Sequence, residues 1–259
     1  MLALITNDDG IGSTGIRVLA TCAEDAGFEV LVAAPSWDSS GASASLTAVE
    51  SEGRLLLADT ELDGVDGRCV SLEAAPAFIV RSAMSGAFGP VPDVVLSGVN
   101  HGPNTGHAVL HSGTVGAALT AATHGAPTVA FSLDTSGHGT NWATVAEVVR
   151  AVLGGSEWDR HPGLALNVNI PDVPRSQLKG LESARLAPFG AVTVNVTEVG
   201  VGYVSLRYSE PDEHADEGTD VALLRAGHAT VSVLEPIGER LTDLDPGTFA
   251  GILKSVRTA

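Results

Sequence analysis

The first 35 residues, MLALITNDDGIGSTGIRVLATCAEDAGFEVLVAAP (1–35), hold a complete β-α-β reading. Residues 2–6 form a short continuous apolar run, the pattern of a strand buried on both faces. Ser13 and Thr14 are both good N-cap types. From there Ile16, Leu19, Ala20 and Ala23 recur at helical spacing, and Gly27 stands where a C-cap belongs. Residues 28–34 (FEVLVAA) read as a strand again, and Pro35 closes them.

The alternation resumes downstream. Residues 93–98 (DVVLSG), 128–133 (TVAFSL) and 164–170 (LALNVNI) read as strands, separated by helical patterns from about Thr114 to His124 and from about Trp142 to Leu153. Strands alternating with helices imply a parallel sheet covered on both faces with right-handed crossovers. The expected fold class is therefore α/β, a Rossmann-like doubly wound sheet. The division is 1–185 for the core and 186–259 for a β-hairpin arm and C-terminal segment. Residues 191–209 (AVTVNVTEVGVGYVSLRYS) alternate as a hairpin would, and the acidic run EPDEHADEGTD (210–220) reads as a solvated loop. Residues 220–236 offer a short helix and one more strand.

Composition narrows the function. With 31 acidic against 14 basic residues the formal charge is −17, so the chain has no electrostatic footprint for nucleic-acid backbones or anionic membranes. A phosphorylated substrate then needs a local reversal of sign, which a bound divalent cation supplies. Cys22 and Cys69 are the two cysteines, far apart and in no metal-binding spacing, and are expected as buried apolar fillers. Without a signal-like N-terminus or a stretch fit to span a bilayer, the expected location is the cytoplasm.

Ligands of open parallel sheets bind outside the carboxyl ends of the strands, so the strand-exit loops are read together. The first strand leads into Asn7, Asp8, Asp9 and Gly10. The second leads through Pro35 into SWDSSGAS (36–43), and the strand at 93–97 into SGVNHGPNTG (97–106). Asp8 and Asp9 provide charge, and a serine at 39 or 40 and the Asn100 amide provide neutral oxygens. That donor set suits Mg²⁺ or Mn²⁺ better than zinc. Ser112, Gly113 and Thr114 open an alanine-rich helix, whose start is a ready anion site. His107 and His111 adjoin this region as a proton donor or as structural side chains. Trp37 is an aromatic face that a base could stack on or that covers the core. There is no GxSxG elbow, no GxxxxGK[ST] loop and no GxGxxG after the first strand.

With these loops assembled, the sequence resembles the SurE family of metal-dependent nucleotidases. The resemblance rests on ITNDDGIGSTGI (5–16), VAAPSWDSSGAS (32–43), VVLSGVNHGPNTG (94–106), HSGTVGAAL (111–119), LNVNIP (166–171) and GTDVALLRAGHATVSVLEP (218–236), in family order over nearly the whole chain. It implies a phosphomonoesterase acting on nucleoside 5′-monophosphates, with 3′-monophosphates left open; the alternative is a nucleotide- and metal-binding relative with little turnover. It implies one divalent cation per subunit on Asp8, Asp9, Ser40 and Asn100, of which Asp8, Asp9 and Asn100 serve catalysis. Asn7, Asn104, Ser112, Gly113 and Thr114 line the phosphate and substrate pocket. It further implies a homodimer or homotetramer built through the arm. The chain departs from the family at Ser36, Trp37, Asp38 and Ser39, where basic residues are usual, at His111 for a tyrosine, at Thr120 for a glutamate, and at AAPAFIV (74–80) for GTPADCV.

Overall fold

The computed structural model describes residues 1–135, 140–155, 158–189, 193–209 and 215–238. In chain order the elements are β1 (Leu2–Thr6), α1 (Thr14–Asp25), β2 (Glu29–Pro35), β3 (Glu50–Ser51), β4 (Arg54–Leu55), β5 (Leu57–Thr60), β6 (Arg68–Leu72) and α2 (Pro76–Ala83). There follow β7 (Val94–His101), α3 (Gly113–Thr123), β8 (Thr128–Asp134), α4 (Trp142–Leu153) and β9 (Ala165–Pro171). The chain goes on through β10 (Leu181–Ser183), β11 (Thr193–Gly200), β12 (Tyr203–Ser209), α5 (Asp220–Arg225) and β13 (Ala229–Leu234).

Nine strands form one sheet in the order β10-β13-β9-β8-β7-β1-β2-β6-β5. The six strands from β9 to β6 run parallel, while β13 against β9 and β5 against β6 are antiparallel. Strand order reverses between β1 and β7: from β1 the chain proceeds to β2 on one side, and β7 starts the other half. This is the topological switch point at which doubly wound sheets open a crevice.

The pleat sends successive β1 side chains to opposite faces. Ala3 and Ile5 join a core with Ile16, Leu19, Leu96, Phe131 and Val149 under α1 and α4. Leu4 joins Val70, Ile79, Val80, Val95 and Ala117 under α2 and α3. Both layers being dry, the central strands carry continuous apolar runs. The β-α-β reading of residues 1–35 matches the structure: Ser13 caps α1 by accepting from the Ile16 N–H, and Gly27 follows the helix at φ +88°.

Between residues 45 and 92 the structure adds β3 to β6 and α2. The hairpin expected at 191–209 is β11 paired with β12, turning at Gly202 with φ +83°. The acidic run needs a correction at its end. Asp220 is fully buried as the first residue of α5, not solvated, while residues 210–214 lie outside the described ones. β13 then returns to the main sheet beside β9. No helix among the described residues is long and apolar enough to cross a membrane.

Candidate active site

The β1 exit loop is shaped by Asn7. Its side chain is completely buried, and Nδ2 donates to the Gly10 carbonyl at 3.0 Å and to Ser13 Oγ at 2.7 Å. The amide expected in the substrate pocket thus ties the turn to the start of α1, and Gly10, at φ +92°, makes the reversal. The turn presents Asp8 and Asp9 between β2 and β7.

Asp8 is buried against the first turn of α3. Its Oδ1 accepts a short hydrogen bond from the Thr114 hydroxyl, which also lies 3.4 Å from Asn100 Oδ1. Burial pushes the Asp8 carboxyl above the ordinary carboxylate value, opposed by the Thr114 hydroxyl and by the backbone N–H groups of Gly113 and Thr114. Asp9 Oδ2 accepts from the His101 backbone N–H at 3.1 Å. Burial, and after it the neighbouring Asp8 charge, push Asp9 up to about 6.

Asn100 arrives from β7, whose pairing with β8 shifts register between Ser97 and Asn100, a bulge that re-aims the strand end. Its Nδ2 donates to the Gly102 carbonyl at 2.6 Å, which turns the amide so that Oδ1 faces Thr114. Asp8, Asp9, Asn100 and Thr114 are therefore brought together at the switch point.

The second loop is stapled to the first at Ser39, whose N–H donates to the Asp8 carbonyl at 2.7 Å and whose hydroxyl does so at 3.2 Å. Ser40, next along, is exposed; its hydroxyl donates to Asp38 Oδ1 at 2.5 Å, a bond that holds the Asp38 carboxyl below its usual value. With its proton committed to Asp38, the Ser40 oxygen keeps its lone pairs for a ligand.

The expected anion site at α3 is occupied differently. Ser112 is the N-cap, accepting from the Val115 N–H at 3.0 Å, and the helix-start amides face the Asp8 carboxylate. Asn104 is clamped by its backbone: its N–H donates to Asn169 Oδ1 at 2.8 Å, and its carbonyl accepts from Asn167 at 2.8 Å and Asn169 at 2.9 Å. Its own Nδ2 donates to Ser132 Oγ at 2.8 Å. His107 and His111 are exposed on a short 3-10 helix at Gly106–His111, whose three-residue turn does not stack positions four apart. Trp37 is 41% exposed.

Four contributors were missed from the sequence. His101 enters through its backbone. Asn167 and Asn169 announce themselves only as two amides on one face of an apolar strand. Asp220 binds Gly106 N–H at 2.7 Å, and Ala187 and Val221 N–H at 2.9 Å, so it pins the segment that carries Asn104 to the start of α5.

The donor set fits a hard divalent cation. Two adjacent half-buried or buried carboxylates are both pushed up by burial, and neither forms an ion pair with lysine or arginine among the described residues. Uncompensated charge of this kind is costly unless a cation is expected. No group of three His, Cys, Asp or Glu side chains converges among the described residues, so the remaining donors are neutral oxygens, as Mg²⁺ and Mn²⁺ accept.

Residues 3–190 match the model of the family described as Survival protein SurE. A protein named 5'-nucleotidase SurE from Stenotrophomonas maltophilia (strain K279a) is 34% identical over 240 residues, covering 91% of this chain and 90% of the relative. Another of that name from Xanthomonas axonopodis pv. citri (strain 306) is 33% identical over 266 residues, covering 97% of this chain and 95% of its own length. Among solved structures, the SurE protein from Aquifex aeolicus superposes with a TM-score of 0.71 at 29% identity, covering 100% of this chain and 99% of the other.

Proposed function

Since this chain belongs to the SurE family, whose curated relatives are named 5'-nucleotidases, we propose that it is a divalent-metal-dependent phosphomonoesterase that hydrolyses nucleoside 5′-monophosphates to nucleoside and phosphate. The observation that carries the reading is the pairing of Asp8 with Asp9 at the switch point, beside the Asn100 amide and, among the described residues, with no lysine or arginine ion-paired to either. One cation per subunit, Mg²⁺ or Mn²⁺, is held by Asp8, Asp9, Asn100 and Ser40. When bound, it supplies the positive charge that neutralises phosphate oxygens and makes water more acidic.

The chain's own residues do the positioning. Thr114 holds Asp8 by its hydroxyl; the Gly102 carbonyl aligns the Asn100 amide; the His101 N–H holds Asp9; Ser39 ties the second loop to the Asp8 backbone. Asn7 sets the loop geometry from below; Ser112, Gly113 and Thr114, the first turn of α3, act on the site by seating the Asp8 carboxylate, and Asn104 is anchored beside Asn167 and Asn169. The departures from the family leave this set intact. Thr120, where a glutamate is usual, spends its hydroxyl on the Gly116 carbonyl within α3.

The protein acts as a cytoplasmic homodimer or homotetramer assembled through the 186–259 arm. Supporting this, the β11–β12 hairpin exposes Val196, Val199, Tyr203 and Val204, a concentration of apolar surface on a two-stranded sheet that, among the described residues, is separate from the nine-stranded one.

The test is phosphate release from 5′- and 3′-nucleoside monophosphates with Mn²⁺, with Mg²⁺ and with chelator, beside Asp8→Asn. Metal-dependent release that disappears in a folded Asp8→Asn protein is the expected result. Absence of release with every cation would overturn the reading in favour of nucleotide binding with little turnover.

A further inference from the structure

Resting on the nucleotidase reading, we infer that the cleft between the start of α1 and the start of α4 is where the nucleoside part of the substrate binds, with Trp142 as the face on which its base stacks. The cleft encloses about 280 Å³, near the lower bound of about 300 Å³ for ligand pockets, and Asp9, Ser13, Gly15, Val99, His101 and Trp142 line it. One wall is therefore a carboxylate of the catalytic pair, and a group seated here is continuous with a phosphate held at Asp8 and Asp9.

The floor is backbone. A Cβ at Gly15 would collide with the Val99 carbonyl, so only glycine lets α1 settle onto the end of β7 and leave a smooth base to the cleft. The far wall is fixed: Asn141 donates from its backbone N–H and from Nδ2 to Asp172 Oδ1, each at 2.7 Å, and Thr144 Oγ1 donates to the Val173 carbonyl at 2.9 Å. Trp142, the first residue of α4, lies between these anchors. It is half-buried and packs against the core under α1 and α4. Such a ring loses little freedom when a base lands on it, which is the condition for efficient stacking.

Besides Asp9 and His101, the lining brings the hydroxyl residues Ser13, Thr14 and Thr140, groups that suit a sugar. Ser13 Oγ already accepts from Asn7 Nδ2 at 2.7 Å and from the Ile16 N–H at 3.4 Å, so its remaining capacity is its own proton, which it offers to a ribose or base acceptor. Among the described residues the lining contains no lysine or arginine and includes the Asp9 carboxylate, so the cleft suits an uncharged nucleoside and not a second phosphate. Trp37, the exposed indole of the second loop, does not line it. The apolar groove at the outer sheet edge, between Val49, Leu57 and Leu72, includes neither catalytic carboxylate and no aromatic ring.

The experiment compares kcat/KM for a nucleoside 5′-monophosphate with kcat/KM for β-glycerophosphate, a phosphomonoester without a base, in the full-length metal-loaded protein. Trp142→Ala is expected to lower the ratio of the two about tenfold, and Trp142→Phe to restore most of it. In parallel, adenosine is titrated in chelator while tryptophan fluorescence is read; the quench is expected to persist in Trp37→Phe and to vanish in Trp142→Phe. An unchanged ratio in a folded Trp142→Ala protein, or a quench that survives Trp142→Phe and is lost in Trp37→Phe, overturns the inference. Failure of the wild type to release phosphate from either substrate would instead refute the nucleotidase reading, and the adenosine titration would still decide the cleft.

Discussion

Gly113 stands so close to Asp8 that a Cβ placed on it would sit 2.7 Å from the carboxylate Oδ2. The approach seats the carboxylate on the positive end of α3, where helix-start amides offset part of its burial cost. In Gly113→Ala the nearest atoms are those of the carboxylate itself, so Asp8 must yield. A displacement of this order costs about 100-fold in turnover when it falls on a reacting group. The expected result is a loss of about that size in kcat/KM with Mn²⁺, with cooperative thermal unfolding retained. Kinetics equal to wild type would show that the position of Asp8 is not critical.

Thr114 gives its one hydroxyl proton to Asp8, so that hydroxyl orients one of the carboxylates proposed to hold the cation. A group that hydrogen-bonds a metal ligand and fixes its orientation is worth about 10–100-fold in metal affinity. Thr114→Val keeps the shape and removes the donor; a rise in the Mn²⁺ dissociation constant within that range is expected by calorimetry. Thr114→Ser should restore tight binding. If the valine variant binds Mn²⁺ like wild type, the hydroxyl contributes only to packing.

The sign of the Asp9 perturbation makes a prediction about the metal-free protein. A carboxyl raised to about 6 in the fold binds its proton more tightly there than in the unfolded chain, so its ionisation destabilises the protein above about 6 and costs nothing below the ordinary value of 3.8. Asp9→Asn removes that cost. In chelator at pH 8 it is expected to be more stable than wild type by about 1 kcal/mol, a figure reduced from the full shift because the carboxyl is partly exposed. The advantage should fade as the pH falls from 7 to 4, while stabilisation by added Mn²⁺ is lost in the variant. Urea unfolding at pH 8 and at pH 4, with and without Mn²⁺, measures both.

The parts legible in the sequence are those whose cause is local. Strands β1, β2, β7, β8 and β9 are buried on both faces, so they carry continuous apolar runs, and α1 and α4 show one-sided spacing with recognisable starts. Asp8, Asp9 and Asn100 followed because the loops after such strands open on the same side. The segment at 45–92 was silent for the opposite reason: β3 and β4 are two residues each, β5 (LADT) is an exposed edge, and α2 is eight residues with little polar face. The hydroxyl of Thr114 meets a carboxylate 106 positions away, and Asp220 meets an N–H 114 positions away, neither of which composition or periodicity records.

Asp220 carries the last prediction. Its two oxygens accept from the N–H groups of Gly106, Ala187 and Val221 in a fully buried setting, and burial outweighs those bonds in raising its carboxyl above the ordinary value. Gly106 packs directly on the chain entering the arm, where a Cβ would strike the Phe189 carbonyl. Asp220→Ala therefore leaves up to three buried donors without acceptors, at a cost of about 1–3 kcal/mol for each one that water does not reach. Asp220→Asn keeps the volume but turns an NH₂ towards at least one donor. Both variants are expected to be destabilised, alanine more than asparagine, and amide exchange should accelerate first at residues 105–111 and 187. Since the bonds lie away from Asp8 and Asp9, the Mn²⁺ dissociation constant of the folded fraction should move far less than in Thr114→Val. Exchange that accelerates uniformly across the sheet, with no early opening at 105–111, would show that Asp220 stabilises the whole domain and not this junction.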